Sequence, residues 1–203
     1  MPVTNFIQKS KNTYNKKATY FDKTLEGKIT RKLHLFLLAN MILQDNDFVV
    51  DVACGNGTLL ASMNKVKPIK GSGIDISDQM IRIASKNHTT LKFHVADCEN
   101  IPYANNTVDL ITVCTGYHHF PNVDAFAKES ARVLKAGGNI YIAEIYLPPV
   151  LREICNLFLP LLRTGDVKFY SEKEIIQVFH VAKFHHRKTV TKGYMQLIQL
   201  EKK

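Results

Sequence analysis

The chain has 203 residues, 45% of them hydrophobic, which is enough for one well-cored domain and too short for two full ones. Its net charge of +9 sits at the ends: residues 1–40 carry +6 and residues 183–203 carry +5, leaving −2 for the middle. That distribution argues against a nucleic-acid-binding core, and with no long uninterrupted apolar stretch neither a signal peptide nor a membrane span is expected.

In chain order, the first twenty-odd residues are polar and are expected to be flexible. Leu25, Ile29, Leu33, Phe36, Leu37 and Met41 then recur at helical spacing and predict an amphipathic helix over 25–43. Four short apolar runs follow, Phe48–Ala53, Gly73–Ile76, Leu91–Ala96 and Val108–Cys114, and a fifth spans Asn139–Ile145. Helical segments are expected at Thr58–Lys65, Ser77–Lys86 and Val123–Leu134, the last stopped by Gly137-Gly138. Short β-branched runs alternating with helices are the pattern of a parallel sheet with crossover helices. The run 147–162 is apolar nearly all round, which implies a helix buried on more than one side, packed on the domain or serving as a lid, a dimer interface or a membrane-touching surface. Ser171-Glu-Lys-Glu174 fits a capping box opening a helix toward Val181, and 184–191 with 194–201 read as two paired strands.

The four cysteines, Cys54, Cys98, Cys114 and Cys155, lie far apart, so buried reduced thiols in a cytoplasmic protein are expected. No His/Cys/Asp/Glu set shows ligand spacing, and no metal site is expected.

Two segments carry the chemistry. Val49-Val-Asp-Val-Ala-Cys-Gly-Asn-Gly-Thr58 is an apolar strand running into a Gly-x-Gly turn that opens a helix, the place where backbone must approach a ligand without a Cβ in the way. Asp75 ends the second strand in Gly73-Ile-Asp-Ile-Ser77, where a carboxylate can accept from both hydroxyls of a ribose. Together they point to an adenosine-containing ligand.

The stretch Asp51-Val-Ala-Cys-Gly-Asn-Gly57 resembles the glycine loop of class I S-adenosylmethionine-dependent methyltransferases, since the third glycine of the NAD fingerprint is absent. Ala96-Asp-Cys-Glu-Asn-Ile-Pro-Tyr103, Val108-Asp-Leu110, His118-His-Phe120 and Glu129-Ser-Ala-Arg-Val-Leu-Lys-Ala-Gly-Gly138 agree in order and spacing, and resemble the subgroup that includes ubiquinone and menaquinone biosynthesis methyltransferases. The likeness covers roughly 45–145. It implies a Rossmann-like three-layer α/β sandwich with a mostly parallel seven-stranded sheet, its last strand antiparallel, in a single domain. Residues 1–44 would form an N-terminal helical cap, 45–145 the cofactor-binding core, 146–170 a substrate-covering insertion and 171–203 a C-terminal helix and two strands. It also implies S-adenosylmethionine as cofactor, with S-adenosylhomocysteine as product. Asp51, Ala53, Gly55 and Gly57 would serve the methionine part, Asp75 the ribose, Ile76 and Met80 the adenine, and Asp97 with Cys98 the adenine amino group. Cys114 and Thr115 would begin the acceptor site, and Tyr20 would reach the methionine carboxylate. Two positions depart from the family pattern: Ala136 stands for a proline, and Lys183 for a glycine.

A sulfonium methyl is already activated, so alignment and desolvation supply much of the catalysis and a base is needed only for an acceptor that carries a proton. His118 or His119 is best placed for that role, though a purely structural role is equally open. The expected acceptor is a small, partly apolar molecule; an RNA acceptor or cofactor binding without catalysis are the alternatives, and a homodimer is left open.

Overall fold

The computed structural model describes residues 3–159 and 165–203. Seven strands, β1 (Phe48–Val52), β2 (Lys70–Asp75), β3 (Lys92–Val95), β4 (Val108–Cys114), β5 (Leu134–Ile145), β6 (Phe184–Lys192) and β7 (Met195–Lys202), form one sheet in the order β3-β2-β1-β4-β5-β7-β6. Neighbours from β3 to β5 are parallel, and β7 runs antiparallel to both β5 and β6. The α/β sheet of the expected topology is therefore present.

Period-two alternation builds both faces. Val50, Val52, Ile111, Val113, Ile140 and Ile142 join the core on one side with Phe126 and Phe179 from α5 (Val123–Val133) and α7 (Glu172–Val181). Val49, Leu110, Cys114, Tyr141 and Ala143 point the other way, onto α2 (Leu25–Asn40) and α3 (Thr58–Val66). Each fully buried leucine of α2, Leu33 and Leu37, stabilises this layer by about 2 kcal/mol. Helix starts follow their caps. Thr24 accepts from Gly27 N at 3.0 Å, Ser77 caps α4 (Asp78–Asn87), and Ser171 with Glu174 forms the complete capping box foreseen for α7.

Three expectations change. The polar N-terminus is not a flexible tail: Val3–Lys17 is a helix, α1, which packs on α4 because Asn15 bonds Ser77 and Asp78 there. Gly137-Gly138 does not stop α5. The helix ends at Val133 and the glycines lie inside β5, where the pairing with β4 shifts register between Val108 and Leu110. Helix α6 (Pro149–Phe158) has no buried side chain, and Val150, Leu151, Ile154, Leu157 and Phe158 present an apolar stripe outward. Residues 160–162 of the apolar run lie outside the described residues. At Lys183, where the family pattern has glycine, the lysine itself takes the left-handed conformation, φ +67°.

Among the described residues no helix is long and apolar enough to cross a membrane.

Candidate functional site

At the C-terminal ends of β1, β2 and β4 a cavity of about 970 Å³, counting the space at its mouth, opens where strand order reverses between β1 and β4. Asp51, Ala53 and Gly55 line it from β1 and its loop, Asp75, Ile76 and Met80 from β2 and α4, Asp97 and Cys98 from the segment after β3, and Cys114 and Thr115 from β4. Two expected residues lie elsewhere. Gly57 is outside the lining and serves as the left-handed N-cap of α3, and Tyr20 is half-exposed and outside the lining; Tyr14 and Phe21 of the same N-terminal region border the cavity instead.

The backbone around the cavity is strained where it meets it. Ala53 (φ +57°) and the β-branched Thr115 (φ +53°) both sit in the left-handed region, at a cost of about 1–3 kcal/mol each. The two turns lie so close that a Cβ on Gly116 would stand 2.7 Å from Ala53 Cβ.

Asp75 clamps the two loops that frame the ligand space. Its Oδ2 accepts from Gly55 N at 2.9 Å and its Oδ1 from Ser77 N at 2.8 Å, leaving lone pairs on both oxygens. Burial raises its pKa although these backbone N–H groups oppose the shift. Asp51 is buried at 2% exposure and accepts from Thr112 Oγ1 at 2.7 Å; burial pushes its pKa up to about 7, Asp75 adds to the shift and the Thr112 hydroxyl opposes it. Two carboxylates facing one cavity, Asp51 buried and Asp75 half-buried, whose hydrogen-bond partners are a hydroxyl and backbone N–H groups, suit a ligand carrying positive charge and hydroxyl donors. The adenosine and cationic methionyl ends of S-adenosylmethionine have that chemistry; Met80 and Ile76 add an apolar wall to the lining and Asp97 a further carboxylate that could hold an amino group.

A second cavity of about 890 Å³, including its mouth, adjoins the first and shares Tyr14, Glu26, Thr30 and Thr115 with it. Ile29, Ile145 and Phe169 give it apolar surface; His118 and Asp166 give it polar surface. His118 follows β4 in a short 3-10 turn (Tyr117–His119), and its Nδ1 lies 2.8 Å from Glu144 Oε2, while Glu144 Oε1 accepts from Tyr117 N at 2.7 Å. Burial works against the charges of both, but their mutual attraction outweighs it, holding His118 above and Glu144 below the usual range. His119 borders the first cavity; its Nε2 lies 2.8 Å from Tyr14 Oη, and burial followed by the neighbouring His118 lowers its pKa to about 4. Asp166 comes within 3.5 Å of His118 Nε2 and 3.2 Å of His119 Nδ1, its segment pinned by Val167 N donating to His118 O at 2.9 Å.

Glu26, Glu144 and Asp166 received no site role from sequence. They reach the site from α2, β5 and a loop after α6, and no local motif marks any of them.

Residues 50–142 match the family described as methyltransferase domain. The chain is 36% identical over 112 residues to the demethylmenaquinone methyltransferase of Chlorobaculum parvum, a match that covers 54% of this chain and 46% of that one. This chain therefore spans about half the length of that relative. Among solved structures, a putative methyltransferase of Haloferax volcanii, in complex with the Trm112 methyltransferase activator, superposes with a TM-score of 0.78 at 20% identity, covering 93% of this chain and 96% of that one. The geranyl diphosphate C-methyltransferase of Streptomyces coelicolor, in complex with Mg2+, geranyl diphosphate and S-adenosyl-L-homocysteine, gives 0.69 at 13% identity, over 85% and 77% of the two chains.

Proposed function

On the premise that residues 50–142 are a class I S-adenosylmethionine-dependent methyltransferase domain, we propose that this protein methylates a small, partly apolar acceptor seated in the second cavity. The observation that carries the reading is the pair of adjoining cavities sharing Tyr14, Glu26, Thr30 and Thr115, one faced by the buried Asp51 and the half-buried Asp75, the other lined by Ile29, Ile145 and Phe169.

When bound, the cofactor supplies a methyl group already activated on a sulfonium. The chain supplies position. Asp75 holds the ribose end while fixing the Gly55 and Ser77 amides, Met80 and Ile76 flank the base, and Asp97 with the Cys98 backbone meets its amino group. Ala53 and Gly55, with Asp51 behind them, face the cationic methionyl end. Thr115, its Oγ1 3.1 Å from Thr30 Oγ1, marks the boundary across which the acceptor meets the methyl group. His118 and His119 form the polar wall at that boundary, and α1 excludes water by lying over the cofactor space.

In this reading residues 1–44 cap the cofactor and 146–170 cover the acceptor, α6 being tied to the cavity rim by Asn156, which bonds the Phe169 backbone through both side-chain atoms. The quinone-pathway relative suggests a quinol or phenol, and the −2 charge of the middle of the chain favours such an acceptor over RNA. A cytoplasmic, reducing location belongs to the same reading, supported by four cysteines that are all free thiols.

The test is transfer of labelled methyl to total RNA and to a panel of quinols, phenols and amines, at low and high salt. Labelling of a small acceptor with little salt dependence is expected. Salt-sensitive labelling of RNA alone would overturn the reading, because neutralising several phosphates makes binding fall steeply with salt.

A further inference from the structure

The geometry points to a divalent cation site at His118, His119 and Asp166, at the inner edge of the second cavity. His118 Nε2 and His119 Nδ1 stand 3.5 and 3.2 Å from the same oxygen, Asp166 Oδ1, and the ligand atoms offered by the three residues all lie within 4.8 Å of one another. Ligands about 2.1 Å from a zinc-class ion stand about 3.0–3.4 Å apart in octahedral or tetrahedral arrangement, so the 3.2 Å separation has the length of a coordination edge and the 3.5 Å separation lies just beyond it.

The protons around the cluster are spoken for on its outer side. Glu26 accepts from Lys17 Nζ on Oε2 at 2.6 Å and from the Tyr14 hydroxyl on Oε1 at 2.5 Å, which uses the single Tyr14 hydroxyl proton. The 2.8 Å contact between Tyr14 Oη and His119 Nε2 therefore uses a proton on Nε2, which leaves Nδ1 of a neutral ring as a lone pair. That Nδ1 is buried, has no hydrogen-bond partner and faces Asp166, in a side chain 10% exposed. His118 is oriented likewise: Nδ1 is turned to Glu144 and Nε2 to Asp166. Each ring thus has an outer partner on one nitrogen, carboxylate for His118 and tyrosine for His119, as in the outer shells of metal-ligating histidines. A proton on His118 Nε2 would answer one contact and leave His119 Nδ1 orphaned; a cation between the three atoms answers all of them.

Two imidazoles and one carboxylate select a zinc- or iron(II)-class ion over magnesium or calcium. Three protein ligands leave coordination positions open, and His118 and Asp166 border the second cavity, so a water or an acceptor oxygen would complete the shell. With the ion bound, neither ring is available as a general base.

The experiment strips the full chain with a chelator and titrates it with Zn2+ against a chromophoric competitor, with Co2+ absorption as a second readout. One site per chain is expected, weakened about 10- to 100-fold in Glu144→Gln, which alters the outer partner of His118 and keeps an oxygen to accept from Tyr117 N, and by more in His119→Gln and Asp166→Asn. The exposed His185→Gln/His186→Gln double variant should bind like wild type. Circular dichroism identifies any variant that fails to fold, and Asp166→Asn and Glu144→Gln each decide the matter alone. Wild-type affinity in Asp166→Asn or Glu144→Gln, loss of the site in the double variant, or no stoichiometric uptake by the folded wild type would overturn the proposal. Because the readout is ion uptake, it is independent of whether methyl transfer is detected.

Discussion

Tyr14 Oη lies 2.8 Å from His119 Nε2 and 2.5 Å from Glu26 Oε1, so a residue of α1 joins α2 to the turn after β4 across the rim of both cavities. In Tyr14→Phe the edge-on ring contacts with Phe21 and His119 survive, but the buried His119 N–H loses its acceptor. The expected cost is about 1–3 kcal/mol. Glu26 keeps Lys17, a partly exposed pair worth less than about 1 kcal/mol. Urea unfolding measures the difference, and wild-type stability in Tyr14→Phe would mean that the contact does not hold α1 in place.

Asp75→Ala removes the carboxylate proposed to accept from the ribose, together with both backbone tethers of the loops around it. Charged hydrogen bonds contribute about 1.5–3 kcal/mol, equivalent to roughly a tenfold to hundredfold loss of affinity. Calorimetry with S-adenosylmethionine and S-adenosylhomocysteine should show that loss for both ligands. Equal affinity in a folded variant would remove Asp75 from the ribose site.

The parts of this design written in contiguous residues were legible: the strand and turn at Val49–Thr58, the acid at the end of β2, and the Ser171/Glu174 cap are each local signals. The polar segment 3–17 misled because its helix is held by contacts 63 and 105 residues away, Asn15 to Asp78 and Tyr14 to His119, and not by an apolar periodicity of its own. Asp166 was invisible for the same reason, since only the fold brings it to His118 and His119. Helix α6 was misjudged because its apolar stripe was taken to mean burial, while the structure turns that stripe to solvent.

Asp51 should make stability depend on pH in an unusual direction. Burial raises its folded pKa to about 7, above the ordinary aspartate value of 3.8, so the native state holds the proton more tightly than the unfolded chain. The associated stabilisation is complete below about pH 4 and is lost as pH rises through about 7, at about 1.4 kcal/mol per pKa unit. Asp51→Asn, which can still accept from Thr112, should match wild type near pH 4 and exceed it above pH 7. Binding of the cationic cofactor favours the carboxylate, so wild type should release protons near pH 6 and the variant should not. Calorimetry in two buffers of different ionisation heat reads this, and equal proton release in both proteins would place the titration elsewhere.

The two glycines of the Gly-x-Gly turn should separate folding from binding. At Gly57, φ is +78° and an added Cβ would meet the Phe93 ring at 2.7 Å and Ala84 Cβ at 3.1 Å. Backbone strain and overpacking each cost about 1–3 kcal/mol, so Gly57→Ala should lose about 2 kcal/mol or more, a drop in Tm of roughly 5 °C or greater for a chain of this size. At Gly55, φ is +52° but nothing lies within 4 Å of the added carbon, which would stand in the cavity lining. Gly55→Ala should therefore cost only about 1–2 kcal/mol of stability, while intruding on the space assigned to the methionyl end and weakening cofactor binding. Thermal unfolding and calorimetry on the two variants test the division of labour. A Gly55→Ala protein that binds the cofactor like wild type would show that this turn frames α3 without forming the floor of the ligand site.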